Sequence, residues 1–252
     1  MTQPLTGRRP SRLSAWMDMV QGGTGLLLVL FMWAHMLMVS SILLGKDAMY
    51  WVARMFEGEP LLGKPYPILV SGVVLFILAA IVVHAVLALR RFPASSHQYQ
   101  TLHHHIRSLR HGDTTLWYLQ VITGFALFFL ASVHLYQMLL HPGDIGPYAS
   151  SDRVWSGRFW PLYLLLLFAV ELHGGIGVYR LVVKWGWFLG KDPRRGRRRL
   201  QRIKWLITAF LLALGLLTLA AYMKIGMEHE ARVGERYVPA HLQPVAEPQG
   251  NP

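Results

Sequence analysis

Five stretches of this 252-residue chain are each long and apolar enough to cross a membrane, and they dictate the fold class ahead of any motif. Met19–Leu44, Pro65–Leu89, Thr114–Leu140 and Trp205–Met223 contain no Asp, Glu, Lys or Arg, and Phe159–Val183 contains only Glu171 and Arg180. A helix needs about 20 apolar residues to cross the hydrocarbon core, and a run of that kind satisfies its own backbone groups there. The expected fold is therefore all-α, a bundle of five transmembrane helices. It forms a single integral membrane domain over residues 1–252, with spans near 19–44, 65–89, 114–140, 159–183 and 205–223. Short tails leave no room for a soluble catalytic domain. The first run is too long for a signal-peptide core and lacks a small-x-small cleavage site, so it is expected to be retained.

The net charge of +12 invites a nucleic-acid reading, but its distribution argues for topology instead. Arg8, Arg9 and Arg12 precede span one, and Arg90, Arg91, Arg107 and Arg110 lie between spans two and three. Arg180, Lys184, Lys191, Arg194, Arg195, Arg197, Arg198, Arg199, Arg202 and Lys204 accompany the connection between spans four and five. Seventeen of the 25 cationic residues thus fall on one side. The positive-inside rule then gives a cytoplasmic N-terminus and a C-terminus outside. The Arg194–Arg202 cluster serves that role, and a docking face for a partner or anionic membrane lipid is compatible with it. The chain has no cysteine, which excludes disulfides, cysteine-held iron–sulfur clusters, thiolate-ligated haem and covalent haem attachment.

Four histidines, His35, His84, His134 and His173, sit singly in four different spans. Spans one and three share a pattern: Gln21-x-x-Thr24-Gly25 then His35, and Gln120-x-x-Thr123-Gly124 then His134, each histidine 14 residues after its glutamine. Spans two and four echo each other more weakly, His84 seven residues before Arg91 and His173 seven before Arg180. This is a parallel repeat, with its pseudo-two-fold axis along the membrane normal. Such an axis sets His35 opposite His134 and His84 opposite His173. Depth sorts them the same way. At about 1.5 Å per residue, His35 lies roughly 24 Å beyond Met19, and His134 roughly 9 Å before Leu140, both towards the outside. His84 and His173 lie roughly 9 and 16 Å from the inner boundary.

Ionisable groups inside a membrane are costly and mark function. Two imidazoles from facing helices saturate a haem iron and leave no site for oxygen, which suits one-electron transfer. The expectation is two stacked haem b groups enclosed by four of the five helices. Gly25, Ala34, Gly72, Ala85, Gly124, Ala131, Gly174, Gly175 and Gly177 offer room for porphyrin, although small residues also serve ordinary helix packing. His97, His103, His104, His105 and His111 belong to a polar connection, and His141, His229 and His241 are read as surface residues. The Pro-rich tail after Val238 is read as flexible. Glu171, near mid-span, points away from His173 two positions on, and is read as a proton-transfer group or a protonated structural one. Glu57 and Glu59, outside span one, are candidates to accept protons from a quinol, with ordinary solvated loop glutamates as the alternative.

The chain resembles the dihaem cytochrome b membrane anchor of quinol:fumarate reductase, in its five-helix, single-anchor form, over roughly residues 14–225. The most specific stretches are His35-Met36 through Leu43-Leu44-Gly45, Arg110-His111-Gly112-Asp113-Thr114-Thr115-Leu116-Trp117, and Phe168-Ala169-Val170-Glu171-Leu172-His173-Gly174. Leu181-Val182-Val183-Lys184-Trp185-Gly186-Trp187-Phe188 continues the last of these. The resemblance implies that His35 and His134 ligate the distal haem, and His84 and His173 the proximal one. It implies that Glu57 serves menaquinol oxidation and that Glu171 belongs to a transmembrane proton path. Gln21, Trp117 and Lys184 would contact proximal-haem propionates, and Arg153 distal ones. Gly58-Glu59-Pro60 departs from the family pattern and leaves Glu59 a rival for the quinol role. The implied partners are a flavoprotein with covalently bound FAD and an iron–sulfur subunit on the basic face, the whole forming a dimer of three-subunit complexes in a bacterial cytoplasmic membrane. Two alternatives stand beside this: the cytochrome b anchor of a hydrogenase or formate dehydrogenase, and a haem-free transporter or proton channel.

Overall fold

The structure, a computed structural model, describes residues 12–90, 100 and 112–243. Arg8, Arg9, Arg91, His97, His103, His104, His105, Arg107, Arg110 and His111 lie outside the described residues. Among those described, every regular element is helical, and five helices are long and apolar enough to cross a membrane.

Helix α1 (Arg12–Val39) continues through a 3-10 turn at Ser40–Leu44. Two short helices follow, α2 (Lys46–Phe56) and α3 (Glu59–Leu62), before α4 (Ile68–Leu89) crosses back. The remaining elements are α5 (Gly112–Leu140), a short α6 (Pro147–Val154), α7 (Trp160–Trp185) and α8 (Pro193–His229). Helix α1 packs on α4, α4 on α5, α5 on α7 and α7 on α1, closing a ring of four. Helix α8 stands outside the ring, against α7 and α6. The bundle is apolar outward, as a lipid-facing surface must be: Leu30, Phe76, Phe129 and Leu206 are 53, 59, 68 and 71% exposed.

The last span begins earlier than the hydrophobic run suggests, so the basic segment after Pro193 is helix rather than connection. Asp192 caps it, accepting hydrogen bonds from the backbone N–H groups of Arg194 and Arg195 at 3.0 and 3.2 Å. Pro193 occupies the first turn, where its missing N–H costs nothing. At this basic end Asp18 bonds Arg90 at 2.6 Å and lies 3.6 Å from Lys184, tying α1, α4 and α7 together.

At the opposite end His229 corrects its expected surface position: it is 1% exposed. Its Nδ1–H donates to Asp152 Oδ1 at 2.8 Å, and the Tyr148 ring stacks on it at 4.0 Å. The Gly234 N–H takes the other Asp152 oxygen at 3.0 Å. Helices α6 and α8 come this close because Gly226 has no side chain; a Cβ there would sit 2.6 Å from the Ser151 carbonyl oxygen. The segment beyond Val238 turns once through Ala240–Leu242 before the described residues end at 243. Just before it, Tyr237 donates its hydroxyl to Asp47, which holds the phenol up at about 12. His229→Ala should cost about 2–3 kcal/mol, because a buried carboxylate loses a charge-assisted bond. Thermal unfolding in detergent, alongside His229→Asn, measures it.

Candidate functional site

The Gln-x-x-Thr-Gly repeat turns out to seat the histidines of the neighbouring helices. His84 Nδ1 lies 3.2 Å from the Gln21 backbone oxygen, and His173 Nδ1 lies 2.9 Å from that of Gln120. A carbonyl only accepts, so Nδ1 carries the proton in both rings and Nε2 keeps its lone pair. The glycine of each motif makes the space. A Cβ at Gly25 would fall 2.9 Å from His84 Cε1, and one at Gly124 would fall 3.0 Å from His173 Cε1. The two seats are related by the internal repeat, α1 holding a residue of α4 and α5 a residue of α7.

His84 and His173 face each other across the ring of helices, their ring centroids 6.4 Å apart. His35 and His134 do the same one level up, at 6.3 Å. Two imidazoles on one metal, each about 2 Å from it, place their ring centres roughly 6 Å apart. Both pairs fit that spacing. Phe31 stacks on His35 at 5.7 Å, and Tyr163 meets His134 edge-on at 5.5 Å. His134 Nδ1 is buried and has no hydrogen-bond partner among the described residues.

All four histidines open onto one cavity of about 1090 Å³, beyond the roughly 300–1,000 Å³ of an ordinary ligand pocket. Gln21, Trp117 and Lys184 line its basic end, together with His84 and His173. Arg153 lines the far end, where it donates to Tyr163 Oη at 3.0 Å and to the Asp144 carbonyl at 2.7 Å. Gly25, Ala85, Gly124, Ala131, Gly174 and Gly177 line the cavity; Ala34, Gly72 and Gly175 do not. Gly175 instead faces α8, where a Cβ would meet Thr208 Oγ1 at 2.6 Å. It follows His173 by two residues, which turns it about 200° around the helix.

The two candidate glutamates stand apart from the cavity lining. Glu171 is fully buried and shares the α8-facing stripe of α7 with Leu167, which packs on Gly215, and with Gly175. Trp33 of α1 is its polar neighbour, and among the described residues neither the indole N–H nor the carboxylate has a well-formed hydrogen bond. Glu57 ends α2 directly after the cavity-lining Phe56. It is 6% exposed, and Arg54 Nη1 donates to its Oε2 at 3.0 Å.

Residues 96–215 match the family model for the transmembrane subunit of succinate dehydrogenase/fumarate reductase. The fumarate reductase cytochrome b subunit of Wolinella succinogenes is 52% identical over 221 residues, 88% of this chain and 86% of that one. That of Helicobacter pylori is 49% identical over 224 residues, 89% and 86% of the two chains. A succinate dehydrogenase hydrophobic membrane anchor subunit from Archaeoglobus fulgidus is 33% identical over 99 residues, 38% of this chain and 78% of the relative. The chain belongs to the fumarate reductase cytochrome b subunit family. It is accordingly a multi-pass membrane anchor of an oxidoreductase complex, which decides against the hydrogenase and formate dehydrogenase alternatives.

For a cytochrome b anchor, the histidine seats are the features that sequence reasoning misses, although the repeat carries the signal. Gly124→Leu should drive a side chain into the His173 ring and displace it. The expected result is a lower haem content in folded protein, checked by haem quantification per chain.

Proposed function

We propose that this anchor carries electrons from menaquinol, through two haem b groups, to an iron–sulfur subunit and an FAD-containing flavoprotein that reduces fumarate. The reverse, succinate oxidation by menaquinone, uses the same parts. Each bound haem supplies reversible one-electron chemistry. His84 and His173 would hold the proximal group and His35 and His134 the distal one, through their Nε2 atoms. Gln21, Trp117 and Lys184 would meet the propionates at the basic end, and Arg153 those at the far end.

The observation that carries this reading is the pair of facing imidazole couples at 6.3 and 6.4 Å, stacked in one cavity. The basic end would face the cytoplasm and receive the soluble subunits, with Arg194–Arg202 available for docking. The complex would sit in the bacterial cytoplasmic membrane as a dimer of heterotrimers. Glu57 would take protons from menaquinol at the outer side. A reduced-minus-oxidised absorption spectrum with haem counted per chain tests the proposal. Two b-type haems per polypeptide support it; a colourless, folded protein would favour the channel alternative.

Glu171 would move protons along the seam between α7 and α8. Among the described residues the carboxylate has only the Trp33 indole beside it and no well-formed hydrogen bond, and an ionisable group at that depth is a candidate for function. Glu171→Gln should slow menaquinol-driven fumarate reduction by about tenfold or more, with both haems retained. Unchanged turnover would count against the path.

A further inference from the structure

At the end of the bundle away from the basic face, one guanidinium spans two carboxylates of different exposure. Arg54 Nη1 donates to Glu57 Oε2 at 3.0 Å, and Arg54 Nε lies 3.5 Å from Glu59 Oε2, an ion-pair contact without hydrogen-bond geometry. The Glu57 side chain is 7% exposed and that of Glu59 31%. The guanidinium itself lies 5.0 Å from the centre of the Tyr50 ring. The arrangement therefore has an inner acid, a cation and an outer acid in contact with water.

We infer that Arg54 is a positioning residue for menaquinol oxidation, holding Glu57 ionised and aimed, and linking it to Glu59 as the proton's way out. The inference rests on the quinol role proposed above for Glu57. Each quinol oxidised to quinone releases two electrons and two protons. The electrons leave by the route already proposed. Glu57 takes the protons one at a time, breaking the quinol O–H bond and forming a carboxyl O–H. It returns to the carboxylate by passing each proton through water to Glu59 and on to solvent, while the guanidinium stays charged and carries none.

The electrostatics agree with that division of labour. Burial pushes the Glu57 carboxyl above its ordinary value. Arg54 pulls it back, Arg236 of the C-terminal segment acts in the same sense, and Glu59 acts against both. Arg236 is itself paired with Asp144 at 2.7 Å. From the loop before α4, Tyr66 contributes its backbone N–H to the Glu57 carbonyl at 2.8 Å. Without Arg54, the buried carboxyl would keep its proton to higher pH and cease to act as a base.

The test is made on the whole complex, with reduced 2,3-dimethyl-1,4-naphthoquinone as the electron donor. Arg54→Gln should move the acidic limb of the kcat profile upward by about one pH unit, a tenfold loss of rate on that limb. KM and the haem spectrum should be unchanged. Arg54→Lys should restore the limb, since it restores the charge. Glu59→Gln should lower kcat several-fold and move the limb the opposite way, because a like charge has gone. Infrared spectroscopy should show the protonated carboxyl band of Glu57 persisting to higher pH in Arg54→Gln. A wild-type profile and band in Arg54→Gln would overturn the inference while leaving Glu57 in place. Full activity in Glu57→Gln, run in parallel, would remove the quinol reading and this inference with it.

Discussion

Replacing His84 or His173 with alanine is expected to leave an assembled anchor that holds one haem per chain and passes no electrons from menaquinol to fumarate. The two haem sites would be connected in series. The two histidine couples are stacked in one cavity, the His35–His134 couple nearer the proposed quinol side and the His84–His173 couple nearer the basic face. On the proposed path electrons would cross both levels, so losing either would stop the flow. The fold should survive, because the ring of helices is closed by contacts along α1, α4, α5 and α7 rather than by the imidazoles. Losing one ring also frees only the Gln21 or Gln120 carbonyl, which remains inside a helix. Haem extraction and quantification, with assembly checked by co-purification of the soluble subunits, provides the measurement. Retention of both haems in either variant would remove that histidine from the ligand set.

Much of this arrangement is legible in the amino-acid sequence. The five spans are, because an uncharged run of 20 or more residues has few other fates. The histidine couples are as well, because the internal repeat and the depth along each helix sort them the same way, and the facing rings agree. What escapes is either local or long-range. The start of α8 at Pro193 depends on the Asp192 cap rather than on hydropathy. Helices α2 and α6 are 11 and 8 residues long, too short for periodicity to declare them within a connection. His229 resembles a surface residue in sequence because its partner, Asp152, lies 77 positions earlier in the chain. Proximity to His173 assigns Gly175 to the porphyrin face, whereas its helical phase points to α8. Phase, applied consistently along α7, corrects that one from the sequence alone.

Glu57→Gln is expected to abolish menaquinol oxidation while leaving both haems and the fumarate-reducing chemistry of the partner subunits intact. Glutamine keeps the shape and can still take a hydrogen bond from Arg54, so the 3.0 Å contact at the end of α2 need not be lost. It cannot accept the quinol's proton. General-base contributions of this kind are worth about 10²–10⁴-fold, and a quinol must lose both protons to become quinone. Electron delivery from an artificial donor that bypasses the quinol should therefore run at the normal rate. The pH dependence of the unaltered protein carries the same information. Burial raises the Glu57 carboxyl above its ordinary value, so the base form, and the oxidation rate with it, is lost as pH falls through that raised value and is fully present above it. Glu57→Gln should remove this limb as well as the rate. Quinol oxidation that persists in Glu57→Gln and disappears in Glu59→Gln would transfer the base to the outer carboxylate, which has 31% of its side chain exposed.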